Sequence, residues 1–233
     1  MSLPKPYYEE DGIRIFLGDC REILPELKDE SIDLILTDPP YGIGYQSNMR
    51  TATKKFNKIT NDDNNTRFSA YPLLYRLLKN NSCGVFFCSF KNYAVDYLEL
   101  NKVFDIKNCI VWDKGGGGIG DLKHTLSTDY ELAIIGHKGN FEIVGKRIGS
   151  VWEIPKVFPS DMTHPTEKPA ELFTKMINVF ATSDCLVLDP YMGSGTTLVA
   201  AKLLGRRAIG IEISEEYCAI AVDRLRQEVL KFD

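Results

Sequence analysis

The residues best suited to chemistry are Asp38, Pro39, Pro40 and Tyr41, which close the apolar run Leu34-Ile35-Leu36-Thr37. The run reads as a buried parallel strand, and two prolines cannot continue a ladder, so the strand must end at Asp38. At the carboxyl edge of an open α/β sheet the loops leave on both faces and open a crevice that ligands occupy. The prolines remove two backbone donors and stiffen the turn. The Pro39 carbonyl and the Asp38 carboxylate then form a rigid pair of acceptors beside the planar ring of Tyr41. This set suits a ligand with an exocyclic amino group on an aromatic ring, such as adenine or cytosine. An Asp-Pro-Pro alone is also what an ordinary strand leading into a proline turn looks like.

A second constellation lies near the C-terminal end. Asp184-Cys-Leu-Val-Leu-Asp189 reads as a buried strand, followed by Pro190-Tyr191-Met192-Gly193-Ser194-Gly195-Thr196-Thr197 and a helix from Leu198 to Leu204. A strand, a glycine-rich turn and a helix bring backbone N–H groups and the positive helix end up to a ligand. The next strand, from Arg207, ends in Glu212, an acid that can accept two hydrogen bonds from a ribose diol. Gly12 to Gly18 is another strand, and it closes on Asp19-Cys20 before a short helix containing Glu22 to Leu27. A nicotinamide-dependent dehydrogenase also uses such a unit, but Gly193 and Gly195 are followed by Leu198 rather than a third glycine, and Asp-Pro-Pro-Tyr would have no purpose there.

Asp38-Pro39-Pro40-Tyr41 resembles the catalytic motif of the DNA amino-methyltransferases, which methylate adenine N6 or cytosine N4 from S-adenosylmethionine. The order of motifs, catalytic first and cofactor last, is similar to that of the β group. The resemblance implies a Rossmann-like α/β fold, circularly permuted in motif order, with a seven-stranded, mostly parallel sheet and one reversed strand. It implies Asp38, Pro39, Pro40 and Tyr41 as catalytic residues. It also implies cofactor contacts from Asp19 and Cys20, from Asp38, from Asp189, Met192, Gly193, Ser194, Gly195 and Thr196 around the methionine end, and from Glu212 at the ribose. Lys168, in His164-Pro-Thr-Glu-Lys168-Pro169, matches a family segment near that methionine end. Adenine N6 is favoured as the target because Asp38 supplies a charged acceptor where the family's cytosine enzymes commonly place serine. Cytosine N4, adenine in RNA and a catalytically silent nucleic-acid-binding module remain the alternatives. No Pro-Cys nucleophile for cytosine C5 chemistry is present, and no metal is needed.

The elements that must position these residues follow from the rest of the chain. Its 233 residues, 44% apolar and 26% charged, suit a single domain over 1–233. Strands alternate with helices almost throughout, which predicts a mostly parallel sheet covered on both faces. Helical spacing covers Tyr71 to Leu78, Tyr93 to Asn101 and Ala170 to Phe180, with Pro169 expected just inside the last helix start; Gly84 to Phe90 is a further buried strand. The strands 108–112 and 130–136 are expected to pair antiparallel at one sheet edge, and Val151 to Thr163 to be irregular. The helix that begins at Ser214 reads as core packing.

No apolar run reaches the ~18 residues of a membrane span, and the first residues lack the apolar stretch of a signal peptide, so a cytoplasmic location is expected. The six cysteines show no Cys-x-x-Cys pair and imply neither disulfides nor zinc. The formal charge of -4 argues against binding nucleic acid through overall positive charge. Double-stranded DNA would have to be held by local patches in two candidate insertions, 42–67 and 136–163. In the first, Arg50, Lys54, Lys55, Lys58 and Arg67 outnumber the acids; in the second, Lys138 and Arg147 are the chosen contacts. Segments this short imply short or relaxed recognition or help from a second subunit, and leave a homodimer and a cognate restriction nuclease as open partners.

Overall fold

The computed structural model describes residues 3–40, 64–116, 123–157 and 168–227. In chain order the strands are β1 (Tyr8–Glu10), β2 (Ile13–Leu17), β3 (Ile32–Thr37), β4 (Leu78–Cys88), β5 (Asp105–Asp113), β6 (Tyr130–Lys138), β7 (Val151–Glu153), β8 (Leu186–Asp189) and β9 (Arg207–Glu212). The helices are α1 (Cys20–Ile23), α2 (Asn64–Leu77), α3 (Tyr93–Leu100), α4 (Ala170–Phe180), α5 (Thr196–Leu203) and α6 (Glu215–Arg226). No helix among the described residues is long and apolar enough to cross a membrane.

One sheet of nine strands, among the described residues, runs β1-β2-β9-β8-β3-β4-β6-β5-β7. The seven strands from β2 to β5 are parallel except for β6, which is antiparallel to both β4 and β5. The expected reversed pair is therefore present. Two three-residue edge strands raise the count above seven: β1, antiparallel to β2, and β7, parallel to β5. β7 arises where an irregular segment was expected, because Val-Trp-Glu is too short to show a period; its Trp152 is nonetheless buried. α2 starts seven residues earlier than its apolar spacing suggests, since polar Asn64-Asn65-Thr66 and Pro72 obscure the pattern. Pro169 is the N-cap of α4 rather than its first residue.

Alternation along the central strands sends side chains into two cores. Leu34, Leu36, Val85 and Phe87 meet α4, α5 and α6 on one face, while Ile35, Phe86 and Cys88 meet α1, α2 and α3 on the other. The chain passes from β3 to β4 through α2 on one face and from β8 to β9 through α5 on the other. β3 and β8 are neighbours, so their connections diverge between them. That is the topological switch point, where an open α/β sheet forms its ligand crevice.

Gly195 shows how tightly this edge is built. It caps α5 at φ +81°, and an added Cβ would lie 2.8 Å from Ala221 Cβ and 3.4 Å from Ala221 Cα on α6. Gly195→Ala combines left-handed strain with overpacking. It is expected to lower stability by about 2–4 kcal/mol, read from the midpoint of urea unfolding.

Candidate active site

At the switch point a buried carboxylate joins the two strand ends. Asp189, the last residue of β8, accepts from Thr37 Oγ1 of β3 at 2.8 Å, from Thr197 Oγ1 of α5 at 2.5 Å and from its own turn at Tyr191 N, 3.1 Å. Burial lifts its carboxyl to about 6, with the two hydroxyls and the N–H working against that rise. Both oxygens are engaged inward. Asp189 therefore shapes the site by holding β3, β8 and α5 together.

Asp38, one residue beyond Thr37, is half-buried and pairs with the Lys168 ammonium. Lys168 enters from the segment before α4 and is buried, with Nζ 3.3 Å from Glu131 Oε2 and 4.7 Å from the centre of the Phe87 ring. Burial disfavours the charge on Lys168, but Asp38 and Glu131 outweigh it and hold the ammonium above its ordinary value. Glu131 is the second residue of β6; because β6 is reversed, its beginning lies at the same edge as the ends of the parallel strands. Its other oxygen faces Lys114 Nζ, just past β5, at 3.4 Å. Burial would raise the Glu131 carboxyl, yet Lys168 and Lys114 bring it below its usual value. Two anions and two cations thus alternate as Asp38, Lys168, Glu131, Lys114. Glu131 and Lys114 carry no motif that would single them out in sequence.

The proline turn is held from below. Arg67 of α2 donates from Nη1 to the Pro40 carbonyl at 3.1 Å and places Nε 2.9 Å from Asp96 of α3. Arg67 is 1% exposed and so is no phosphate contact, contrary to its place in the basic patch of 42–67. Tyr41 itself lies outside the described residues.

The cofactor-type turn is closed on itself by Gly195 N–H donating to Met192 O at 2.8 Å. Ser194 and Thr196 are buried, and Arg224 Nη1 of α6 binds Ser194 O at 2.8 Å, Ser194 Oγ at 2.9 Å and Thr196 Oγ1 at 3.1 Å. Those two hydroxyls are engaged by Arg224, so what these residues turn to the crevice is their backbone, and α6 does more than pack. Met192 is also a core residue, its sulfur against Gly210. Gly193, at φ +52°, donates its N–H to Glu212 Oε2 at 3.1 Å, and Ser214 N donates to Oε1 at 2.8 Å. Burial raises the Glu212 carboxyl, and these N–H groups oppose the rise. A carboxylate has about four lone-pair sites, so Glu212 keeps acceptor capacity for a diol. Asp19 caps α1 beside it, but Arg21 takes both of its oxygens, at 2.6 to 3.2 Å, and that contact holds its carboxyl below the usual range. Cys20 points into the core, where burial pushes its thiol up to about 11, so its side chain does not face the crevice.

A family model described as DNA methylase matches residues 32–223. The chain belongs to the DNA methylase family. It is 31% identical to the type II methyltransferase M2.DpnII of Streptococcus pneumoniae, covering 97% of this chain and 94% of that protein. It is 29% identical to the DNA adenine methyltransferase YhdJ of Escherichia coli strain K12, covering 91% and 82%. The crystal structure of the M1.HpyAVI-SAM complex superimposes with a TM-score of 0.73 at 28% identity, over 92% of this chain and 99% of that one.

For this methylase the basic residues expected at DNA divide. Arg50, Lys54, Lys55 and Lys58 lie outside the described residues, and Arg147 is exposed on the loop between β6 and β7. Lys138 is a correction. It ends the reversed strand and so lies at the opposite sheet edge, donating to Leu78 O at 2.7 Å and Tyr75 O at 3.2 Å below the end of α2.

Arg67 gives the methylase a pH-dependent weakness. Burial lifts the Asp96 carboxyl from 3.8 to about 6, and the guanidinium opposes that rise. Without the guanidinium the folded carboxyl titrates higher still. A carboxyl raised in this way favours the folded state below its unfolded value, and the advantage is lost as pH rises through the folded value. Arg67→Met is therefore expected to cost about 3–5 kcal/mol at pH 8, where an unpaired carboxylate is buried. The loss should be clearly smaller at pH 5.5, as compared by urea unfolding at the two pH values.

Proposed function

We propose that residues 1–233 act as one methyltransferase domain that transfers the methyl group of S-adenosylmethionine to N6 of an adenine flipped out of double-stranded DNA. The observation that carries this reading is the half-buried Asp38, seated at the switch point next to the glycine turn and Glu212 and backed by a buried ammonium. Glu212 would take the ribose, the backbone of the turn the methionine end, and the segment around Asp19 the adenine of the cofactor. S-adenosylmethionine supplies a methyl group already activated on a sulfonium.

The protein's own residues must then align, exclude water and manage charge. The amino nitrogen of adenine is a poor nucleophile because its lone pair is delocalised into the ring. Hydrogen bonds donated by its two N–H groups to Asp38 and the Pro39 carbonyl favour a pyramidal nitrogen and direct the lone pair at the methyl group, at a reacting distance of roughly 3 Å. The nitrogen becomes cationic as the C–S bond breaks. Asp38 stabilises that charge and is the nearest acceptor for the proton then released. Inside a duplex the amino group is out of reach, so the base must leave the stack, and Tyr41 is the aromatic platform for it.

Adenine is preferred because Asp38 is a charged acceptor, and the name of YhdJ points the same way for that relative. The phosphate contacts are assigned to Arg50, Lys54, Lys55, Lys58 and Arg147 within 42–67 and 136–163, without Lys138. A cytoplasmic location fits this role, and a second copy of the chain and a cognate nuclease are further partners that it admits.

The purified chain, incubated with unmethylated duplex DNA and labelled cofactor, should yield N6-methyldeoxyadenosine after digestion and mass spectrometry. N4-methyldeoxycytidine as sole product would overturn the target, and label in RNA alone would overturn the substrate. Asp38→Ala should reduce transfer by at least about a hundredfold, the order expected when a proton acceptor is removed, while calorimetry still shows binding of S-adenosylhomocysteine. Joint replacement of Lys54, Lys55 and Lys58 by alanine should weaken DNA binding and lower the slope against log salt by about 0.9 for each phosphate no longer neutralised.

A further inference from the structure

The buried ammonium of Lys168 sits on the carboxylate that the proposed reaction needs. It contacts Asp38 Oδ2, and an amino group arriving at Asp38 must compete with it for acceptor capacity. Lys168 cannot retreat to water, since its side chain is 8% exposed and its charge lies over the Phe87 ring. Glu131 is within its reach. Glu131 Oε2 is buried, 3.3 Å from Nζ, and has no hydrogen-bond partner. This acceptor is thus close to the lysine but not aligned with it, and a small rotation of the ammonium would complete the bond. Lys114 holds the other Glu131 oxygen at 3.4 Å, so the carboxylate is fixed in place to receive it.

Resting on the methyl-transfer reading above, we infer that Glu131 is a positioning residue for methyl transfer: it is the second anion that takes up Lys168 as the target amino group takes up Asp38. The charges support the exchange. Asp38, Glu131, Lys168 and Lys114 sum to zero, and methyl transfer adds one positive charge at the amino nitrogen. With Lys168 drawn to Glu131, the charge of Asp38 is turned towards that nascent cation instead of being spent on the lysine. Without Glu131 the ammonium has a single anion and stays on it.

The test is single-turnover methylation of unmethylated genomic DNA of mixed sequence with labelled S-adenosylmethionine. Glu131→Gln is expected to lower the rate at saturation roughly 10- to 100-fold, the range for removing one charged hydrogen-bond partner. KM for DNA and the Kd of S-adenosylhomocysteine should stay within about twofold. In a Lys168→Met background, where no ammonium remains to be exchanged, Glu131→Gln should change the rate by less than about twofold. A folded Glu131→Gln variant with an unchanged rate, or losses that multiply in the double variant, would overturn the inference. If the neutral variant does not fold, Glu131→Asp decides, because it keeps the charge and retracts it by one methylene: a several-fold slower rate is expected, and an unchanged one overturns the inference. Absence of any methyl transfer by the unaltered chain would count against the proposed function itself and is read separately.

Discussion

The architecture depends on a carboxylate buried between two strands that come from distant parts of the chain. Asp189 reaches across to Thr37 and along its own turn to Thr197, so the strand bearing Asp38 and the turn bearing Gly193 to Gly195 are fixed to one another by hydrogen bonds to one side chain. A charge there is costly to bury, and its three donors are what make the burial tolerable. The return is register. Transfer between two bound molecules requires their reacting atoms to be aligned to within a fraction of an ångström, and a rigid link between strand ends fixes such geometry better than loops can.

The same logic extends outward in layers. Arg224 holds the glycine turn from α6, and Arg67 holds the proline turn from α2. Each guanidinium engages backbone carbonyls or hydroxyls from beneath, leaving the upper surface to ligands. The Asp38–Lys168–Glu131–Lys114 row differs from these clamps because it mixes charges with alternative pairings. Buried ion pairs of this kind add little to stability by themselves, and removing one member is costly. Their value here lies in what happens when a new donor enters.

Sequence made legible the residues whose backbone position is dictated locally. Prolines must end β3, so Asp38 had to lie at a strand end; glycines must make the turn after β8; and Glu212 had to close β9. Side-chain direction was less legible. Ser194, Thr196, Met192 and Cys20 sit in the right segments yet face inward, because the turn is packed against α6 and α1 begins at a buried position. Glu131 was hidden because only the reversal of β6 brings its first residues to the site, and the same reversal carries Lys138 away from it. Arg67 read as surface charge because its partner Asp96 lies on a different helix. Such pairings are properties of the assembled sheet and leave no local pattern.

The most direct measurement is a crystal structure with sinefungin, an amine analogue of S-adenosylmethionine. Its ribose hydroxyls are expected on Glu212, its amino acid end over the backbone of Gly193 to Gly195, and its amine, which stands in for the transferable methyl, directed at Asp38. Ligand bound elsewhere, for example in the cavity of about 360 Å³ bordered by Ser183, Cys185 and Arg207 at the opposite sheet edge, would contradict the claim that the two motifs form one site.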